Sequence, residues 1–114
     1  METQQSICHR FGSSYEPPNA SEKLGVALHT LHLLPLNALR HSPQPGTCGW
    51  FVWGGDELSQ AADFFQPLHV GHLQAHCPSL VPYLSLAPGW RVLLAPGHED
   101  VWWDGDLLAV DDSA

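Results

Sequence analysis

Alternating apolar and polar positions predict two strands in the first half of the chain. In the segment 24–30, every second side chain is apolar or β-branched, which is the period-two pattern of a half-buried strand. In the segment 48–53, Trp50 and Val52 alternate with Phe51 and Trp53, so both faces of this strand are apolar. A strand with two apolar faces is typical of the centre of a sheet.

Helical spacing predicts two helices in the middle of the chain and a short one at its start. After Gly54-Gly55, Asp56 can cap a helix. Its apolar face consists of Leu58, Ala61, Ala62 and Phe65. A second helix is predicted to begin near Pro67, with inward-facing Val70, Leu73 and Cys77. Residues 3–11 form the short helix, with Thr3 as its cap and Gly12 as its end.

The last third of the chain is predicted to form a three-stranded antiparallel meander. The alternating segment 90–95 lies between two Pro-Gly turn dipeptides, and a further strand follows at 99–103. Asp104-Gly105 favours a type I′ turn, after which residues 107–110 return beside that strand.

These elements together predict an α+β fold, an antiparallel sheet of about five strands with two or three helices on one face. The length of 114 residues suits one domain. We expect 1–23 to be an N-terminal segment with a short helix and a loop. We expect 24–110 to be the single α+β domain and 111–114 to be an acidic tail.

The N-terminal residues and the cysteines indicate a compartment. The chain starts with neither the charged stretch nor the apolar stretch of a signal peptide, and it has no apolar run of membrane-spanning length. Its three cysteines are widely spaced and form no CxxC pair, which predicts neither a disulfide framework nor a thiolate zinc site. We therefore expect a cytoplasmic protein with no membrane partner.

Acidic residues dominate the second half of the chain. Twelve acids against four bases give a formal charge of −8, and the first 53 residues sum to zero. Such a charge repels phosphate backbones, so no nucleic-acid partner is expected. The ordinary interpretation is a solvated surface that keeps the protein soluble, and the functional one is a basic partner.

Two clusters of titratable residues are candidate sites of chemistry. His69, His72 and His76 follow helical spacing, but a closed zinc site needs four ligands, usually from more than one element, so a polar helix face is preferred and no metal is predicted. His98, Glu99 and Asp100 are consecutive on a strand and therefore converge poorly on one reacting atom. No nucleotide-binding or hydrolase motif occurs, which indicates a protein without catalytic residues or cofactor.

The tryptophans give the stronger functional signal. Trp102 and Trp103 are consecutive on a predicted strand, so they face opposite sides, and only one can readily join a helix-covered core. The other, flanked by acids, has the composition of an interface anchor with a charged rim, although a tryptophan packed on loops is the alternative. The candidate partner-binding residues are Asp56, Glu57, Glu99, Asp100, Trp102, Trp103, Asp104 and Asp106.

Five short motifs carry a resemblance to a known family. They are GW-x-x-WGG-x-E-x-S at 49–59, DFF-x-PLHV at 63–70, PYL at 82–84, PGWR at 88–91 and EDVW at 99–102. With them the chain resembles the bacterial immunity proteins of family thirty-three, from polymorphic toxin systems. The resemblance implies a small cytoplasmic protein that binds and neutralises a toxin.

The leading hypothesis is a non-enzymatic immunity protein that binds a cognate toxin, such as a basic nuclease, through an acidic, tryptophan-containing surface. A small-molecule or peptide sensor that uses the tryptophan-lined sheet as a pocket is the alternative. A metal-dependent hydrolase using the three histidines is a third hypothesis.

Overall fold

The computed structural model describes residues 3–59 and 61–109. Six strands are present in this part of the chain: β1 (Lys23–Val26), β2 (Leu36–Arg40), β3 (Thr47–Gly54), β4 (Gln66–His69), β5 (Trp90–Ala95) and β6 (His98–Trp103). The α-helices are α1 (Gln4–Phe11) and α2 (Leu73–His76). Short 3-10 helices span Leu28–Thr30, Val70–His72, Pro78–Tyr83 and Gly105–Ala109.

The six strands form one mixed sheet in the order β4-β1-β3-β2-β5-β6. The pair β1 and β3 is parallel, and the other four neighbouring pairs are antiparallel. Helices pack on this sheet, so the predicted α+β class is confirmed. β3 lies inside the sheet, as its two apolar faces predicted.

The main core lies between the sheet and the helices. Trp50, on β3, is 1% exposed, and its indole Nε1 donates to the carbonyl oxygen of Leu84 at 2.9 Å. The core combines sheet side chains with side chains from α1, α2 and the 3-10 helix at 78–83: Ile7, Cys8, Leu24, Val26, Leu36, Cys48, Trp50, Val52, Leu73, Cys77, Leu80, Leu86 and Val92. We call this side of the sheet the helix-covered face.

The opposite side of the sheet carries a smaller apolar cluster. Because successive strand residues alternate, β3 directs Phe51 and Trp53 to this second face. Leu39, Phe64 and Leu107 are buried in the same cluster. Loop segments and short 3-10 turns, including the one at 105–109, lie over this face in place of the α-helices that cover the first face.

The N-terminal helix follows its sequence signals. The Thr3 side chain accepts from the backbone N–H of Ser6 at 3.1 Å, and the Ser6 hydroxyl in turn accepts from the N–H of Thr3 at 2.9 Å. Gly12 ends the helix at φ 81°, a left-handed conformation that glycine adopts without steric cost. The predicted helix with its cap and end is therefore confirmed.

The helix predicted after Gly54-Gly55 is wrong. Residues 56–59 and 61–65 contain no helix and consist of irregular segments, bends and one turn at 62–63, after which the chain enters β4. Ala61 and Ala62 are exposed while Phe64 is buried, because the aromatic side chains pack on the second face of the sheet and outweigh a weak helical stripe.

The second predicted helix is shorter than expected. Pro67 lies in the edge strand β4, where a residue without an N–H donor is tolerated. The helical part is α2 with the 3-10 turn before it, and Leu73 and Cys77 are buried as predicted. Val70 is partly buried against the main core.

The terminal meander has two strands in place of three. β5 and β6 pair around the predicted turn at Pro96-Gly97. The predicted third strand is wrong for residues 107–109, which belong to a 3-10 helix, and its last residue lies outside the described part. The Asp104 carboxylate accepts from the N–H of Asp106 at 3.1 Å, which favours a helical turn over a hairpin.

β1 ends at Val26, so the strand predicted over 24–30 is shorter and continues as a 3-10 turn. Leu36–Arg40 was not predicted as a strand, because it is apolar without clear alternation.

Arg40 is a charged side chain inside the protein, with 4% of its surface exposed. Its Nε donates to the carbonyl oxygen of Cys48 at 2.9 Å. Its Nη1 donates to the carbonyl oxygens of Glu16, Leu84 and Leu86 at 2.8, 3.3 and 2.7 Å. Burial lowers the pKa of the guanidinium group. The side chain thus ties β2 to β3, to the N-terminal loop and to the segment that precedes β5.

Candidate partner-binding surface

Trp102 and Trp103, at the end of β6, lie on opposite sides of the sheet. Trp102 is 39% exposed and Trp103 is 51% exposed, so both rings are available to a partner. One exposed ring was expected from the sequence, because the predicted helices would cover the whole of one sheet face. β6 is an edge strand, and the helices leave the end of it uncovered.

Trp103 lies on the helix-covered side and packs on glycine. Its ring contacts Trp90 edge-on, with ring centroids 5.9 Å apart. Gly89 has φ +103°, and a Cβ placed on it would lie 2.4 Å from the Trp103 ring. Gly105 also borders the ring. Two close glycine contacts hold the indole flat against the molecule while its outer face remains exposed.

Trp102 lies on the second face and is positioned by Arg91. The Arg91 guanidinium carbon lies 5.6 Å from the Trp102 ring centroid, within range of a cation–π interaction. The same guanidinium group donates to Asp104 Oδ2 at 3.1 Å. Arg91 and Asp104 thus form the polar border of this ring.

Two of the predicted acids, Glu99 and Asp100, are paired with other side chains of the same chain. Glu99 accepts two hydrogen bonds of 2.9 Å from Arg10 and one from the Tyr83 hydroxyl. The bond to Arg10 is the main reason why the pKa of Glu99 lies below its ordinary value, with Tyr83 also lowering it and burial opposing both. Asp100 lies 3.0 Å from Nε2 of His98.

The remaining predicted acids divide between two ends of the sheet. Gly54 pairs with Leu36 on β2, and Leu36 pairs with Leu94 on β5. Gly54 therefore lies at the end of the sheet where β5 turns into β6. Asp56 and Glu57 follow Gly54 and therefore lie at this end. Asp104 and Asp106 follow Trp103 at the other end. The structure thus does not bring the eight candidate residues into one patch.

An open cavity of about 580 Å³ lies on the second face of the sheet. Its floor is formed by Leu39, Phe51 and Trp53, and we call it the aromatic groove. Its walls come from the loop before β4 and from the last 3-10 helix. The residues that line it are Leu39, His41, Ser42, Gln44, Thr47, Gly49, Phe51, Trp53, Leu58, Ser59, Ala61, Phe65 and Leu108.

The sequence indicates a pocket on the tryptophan-lined sheet only as the alternative, and it does not predict the residues that form the aromatic groove, although one signal is present. The segment 48–53 was recognised as apolar on both faces, while helices were predicted on one face only. An apolar strand face without helices over it should have indicated a contact surface.

The three histidines considered as metal ligands lie on different elements. His69 ends β4, His72 lies in the following 3-10 turn and His76 ends α2. The rings of His69 and His72 meet edge-on at 5.7 Å. Within residues 3–59 and 61–109, no group of three or more His, Cys, Asp or Glu side chains could hold a metal ion.

The three cysteines are buried free thiols. Burial raises the pKa of the Cys8, Cys48 and Cys77 thiols, which disfavours the nucleophilic thiolate form. Among the described helices, none combines the length and the apolar character needed to cross a membrane.

Comparison with known proteins gives one family. The family model described as the Imm33-like domain matches residues 3–104, a range that runs from the cap of α1 to the end of β6. No curated protein and no solved structure matches the chain.

Proposed function

The chain belongs to the Imm33-like domain family, and we propose that it is a non-enzymatic immunity protein that binds and neutralises a cognate bacterial toxin. The resemblance to immunity proteins of polymorphic toxin systems supplies the class of partner. We further propose that contact is made through an acidic, tryptophan-containing surface at the end of β6.

The exposed pair Trp102 and Trp103 carries this proposal. Tryptophan is enriched among the few interface residues that account for most binding energy. Here both tryptophan rings are exposed at the end of β6. Arg91 positions Trp102, and Gly89 and Gly105 pack against Trp103. Asp104 is paired with Arg91, whereas Asp106 is exposed and adds a negative charge next to this surface that suits a basic toxin.

The arrangement of titratable groups supports a non-enzymatic role. Glu99 faces the helix-covered side and is bonded to Arg10, whereas Asp100 faces the other side next to His98. Because these groups point apart, they do not converge on one reacting atom.

We expect a toxin gene next to the gene for this chain, and co-expression with its product tests the proposal. We expect the wild-type protein to restore growth and to bind the purified toxin. The Trp102→Ala variant should bind at least about 30-fold more weakly, the loss typical of a central interface tryptophan. Leu34→Ala is the matched control, since Leu34 is 57% exposed and lies at the opposite end of the sheet. A wild-type protein that neither binds nor protects would contradict the proposal.

A small-molecule or peptide sensor is the second candidate function, and the aromatic groove favours it. Its volume of about 580 Å³ falls within the range of ligand pockets. Trp53 lines the groove, so its fluorescence should change when a ligand enters. A fluorescence response to a metabolite without any protein partner would favour the sensor over the immunity protein.

A further inference from the structure

We propose that the aromatic groove receives a large apolar side chain from a basic segment of the toxin. This inference rests on the proposed function and deepens it, because it adds a second contact region to the one at the end of β6. A second, shallow hollow beside Trp90 and Trp103 is also bordered by Leu108, so this residue links the aromatic groove to the surface around Trp103. A toxin segment lying across Trp103 can therefore continue into the groove.

Contacts within the chain hold the aromatic groove in shape. His41, at its edge, contacts the Phe51 ring edge-on at 5.5 Å and places its Nδ1 3.1 Å from the Leu107 carbonyl oxygen. Phe51 in turn packs against Phe65 at 5.0 Å. These contacts fix the floor and one wall, so little ordering is needed on binding.

The size and lining of the groove suit an apolar side chain. Leu58 and Leu108 are 43% and 42% exposed on its walls, and the floor is aromatic. Apolar surface of this kind is usually covered in a complex, because its removal from water is favourable. Polar side chains such as Ser42 and Ser59 also line the groove and can form hydrogen bonds with the backbone of an entering segment.

The charge around the groove indicates a basic segment. Among the described residues that line it, none is a lysine or an arginine. The acids Glu57, Asp63 and Asp106 are exposed and lie within two residues of lining residues, the first two in the loop before β4 and the third in the last 3-10 helix. These carboxylates favour lysine or arginine residues next to the apolar side chain that enters.

A second copy of this chain is a poor occupant of the groove. Two copies would bring together formal charges of −8 each. The chain also has few bases to offer: of its four, Arg10 and Arg91 bond to carboxylates, Arg40 is buried, and Lys23 is exposed on β1. The charge balance therefore favours a basic toxin over self-association.

A matched pair of substitutions tests this inference. Ala61 lines the groove and is exposed, whereas its exposed neighbour Ala62 does not line it. Ala61→Trp should fill the groove from its edge, and Ala62→Trp adds the same side chain beside it. With the purified toxin of the neighbouring gene as the probe, we expect Ala61→Trp to bind at least tenfold more weakly than wild type. Ala62→Trp should bind as wild type does.

Leu58→Ser is a second, independent variant, because it removes an apolar wall without adding volume. We expect it to weaken toxin binding at least threefold, and circular dichroism and a thermal melt would confirm that each variant is folded. If folded Ala61→Trp and Leu58→Ser both bind as wild type does, the inference is overturned while the proposed function stands. If the wild-type protein does not bind the toxin, both fail.

Other occupants would give different results. Sedimentation of the wild-type protein as a dimer, with Ala61→Trp as a monomer, would place a second copy in the groove and overturn the inference. A small molecule that binds tightly in the groove and leaves toxin binding unchanged would also overturn the inference.

Discussion

Arg40 stands out among the residues because its charge is buried and bonded to carbonyl oxygens on four separate residues. A buried charge is costly unless its hydrogen-bonding groups are satisfied. Here the carbonyl oxygens come from β3, from the N-terminal loop and from the segment before β5. The side chain therefore stabilises the junction of three parts of the fold.

We expect Arg40→Met to lower the free energy of unfolding by about 3–5 kcal/mol, because it leaves several buried carbonyl oxygens without their donor. Urea unfolding followed by tryptophan fluorescence measures the change. Arg10→Met is the control, since it removes an exposed ion pair of the kind that contributes at most about 1 kcal/mol. Equal effects of the two variants would show that the buried hydrogen bonds contribute little.

At the scale of elements, an ion pair between Arg10 and Glu99 joins α1 to β6, and the Tyr83 hydroxyl bonds to the same carboxylate. Arg10 and Tyr83 both donate to Glu99, and its pKa in the folded protein is therefore lowered, chiefly by Arg10. A lowered pKa means that the folded state stabilises the carboxylate. That contribution is present at neutral pH and is lost as the pH falls below the ordinary glutamate value towards the lowered one.

The variant Arg10→Gln should therefore be less stable than wild type at pH 7 by up to about 1 kcal/mol, and the difference should shrink at pH 3. Urea unfolding of both proteins at the two pH values measures it. Lys23→Gln, which changes an exposed base on β1, should show no comparable shrinkage. A difference that persists at pH 3 would mean that Arg10 stabilises the fold by packing on Phe11 and not through Glu99.

Elements with strong local signals were predictable from the sequence. The cap at Thr3 and the glycine at 12 fix α1, and the alternation in 48–53 and 90–95 fixes β3 and β5. The segment 56–65 was misassigned because its alanines and aromatics match a helical face, whereas packing of Phe64 and Phe65 on the sheet decided its conformation. Tertiary contacts of this kind are not visible in local periodicity.

At the scale of the whole molecule, the candidate site was only partly predictable. Two consecutive tryptophans on a strand must face opposite sides, and this rule located Trp102 and Trp103 correctly on different faces. The aromatic groove depends instead on which sheet face the helices cover and on where residues 105–109 fold back. Both are decided by long-range packing, so Phe51 and Trp53 could be recognised as apolar but not as the floor of a groove.

The formal charge of −8 also acts at this scale, because it influences a partner before contact. We expect association with the toxin of the neighbouring gene to slow at least tenfold as salt rises from about 0.02 M to 0.5 M, since screening shortens the range of the attraction. Dissociation should change much less, because it depends on buried contacts. Stopped-flow or surface-binding kinetics over this salt range measure both rates.

The double variant Asp63→Asn with Asp106→Asn tests how much the acids next to the groove contribute to this attraction. Both acids are exposed and flank the aromatic groove. Their neutralisation should flatten the dependence of the association rate on salt, whereas Trp102→Ala should raise the dissociation rate and leave that dependence unchanged. An association rate that does not vary with salt in the wild-type protein would exclude electrostatic attraction, and the aromatic contacts alone would then have to account for toxin binding.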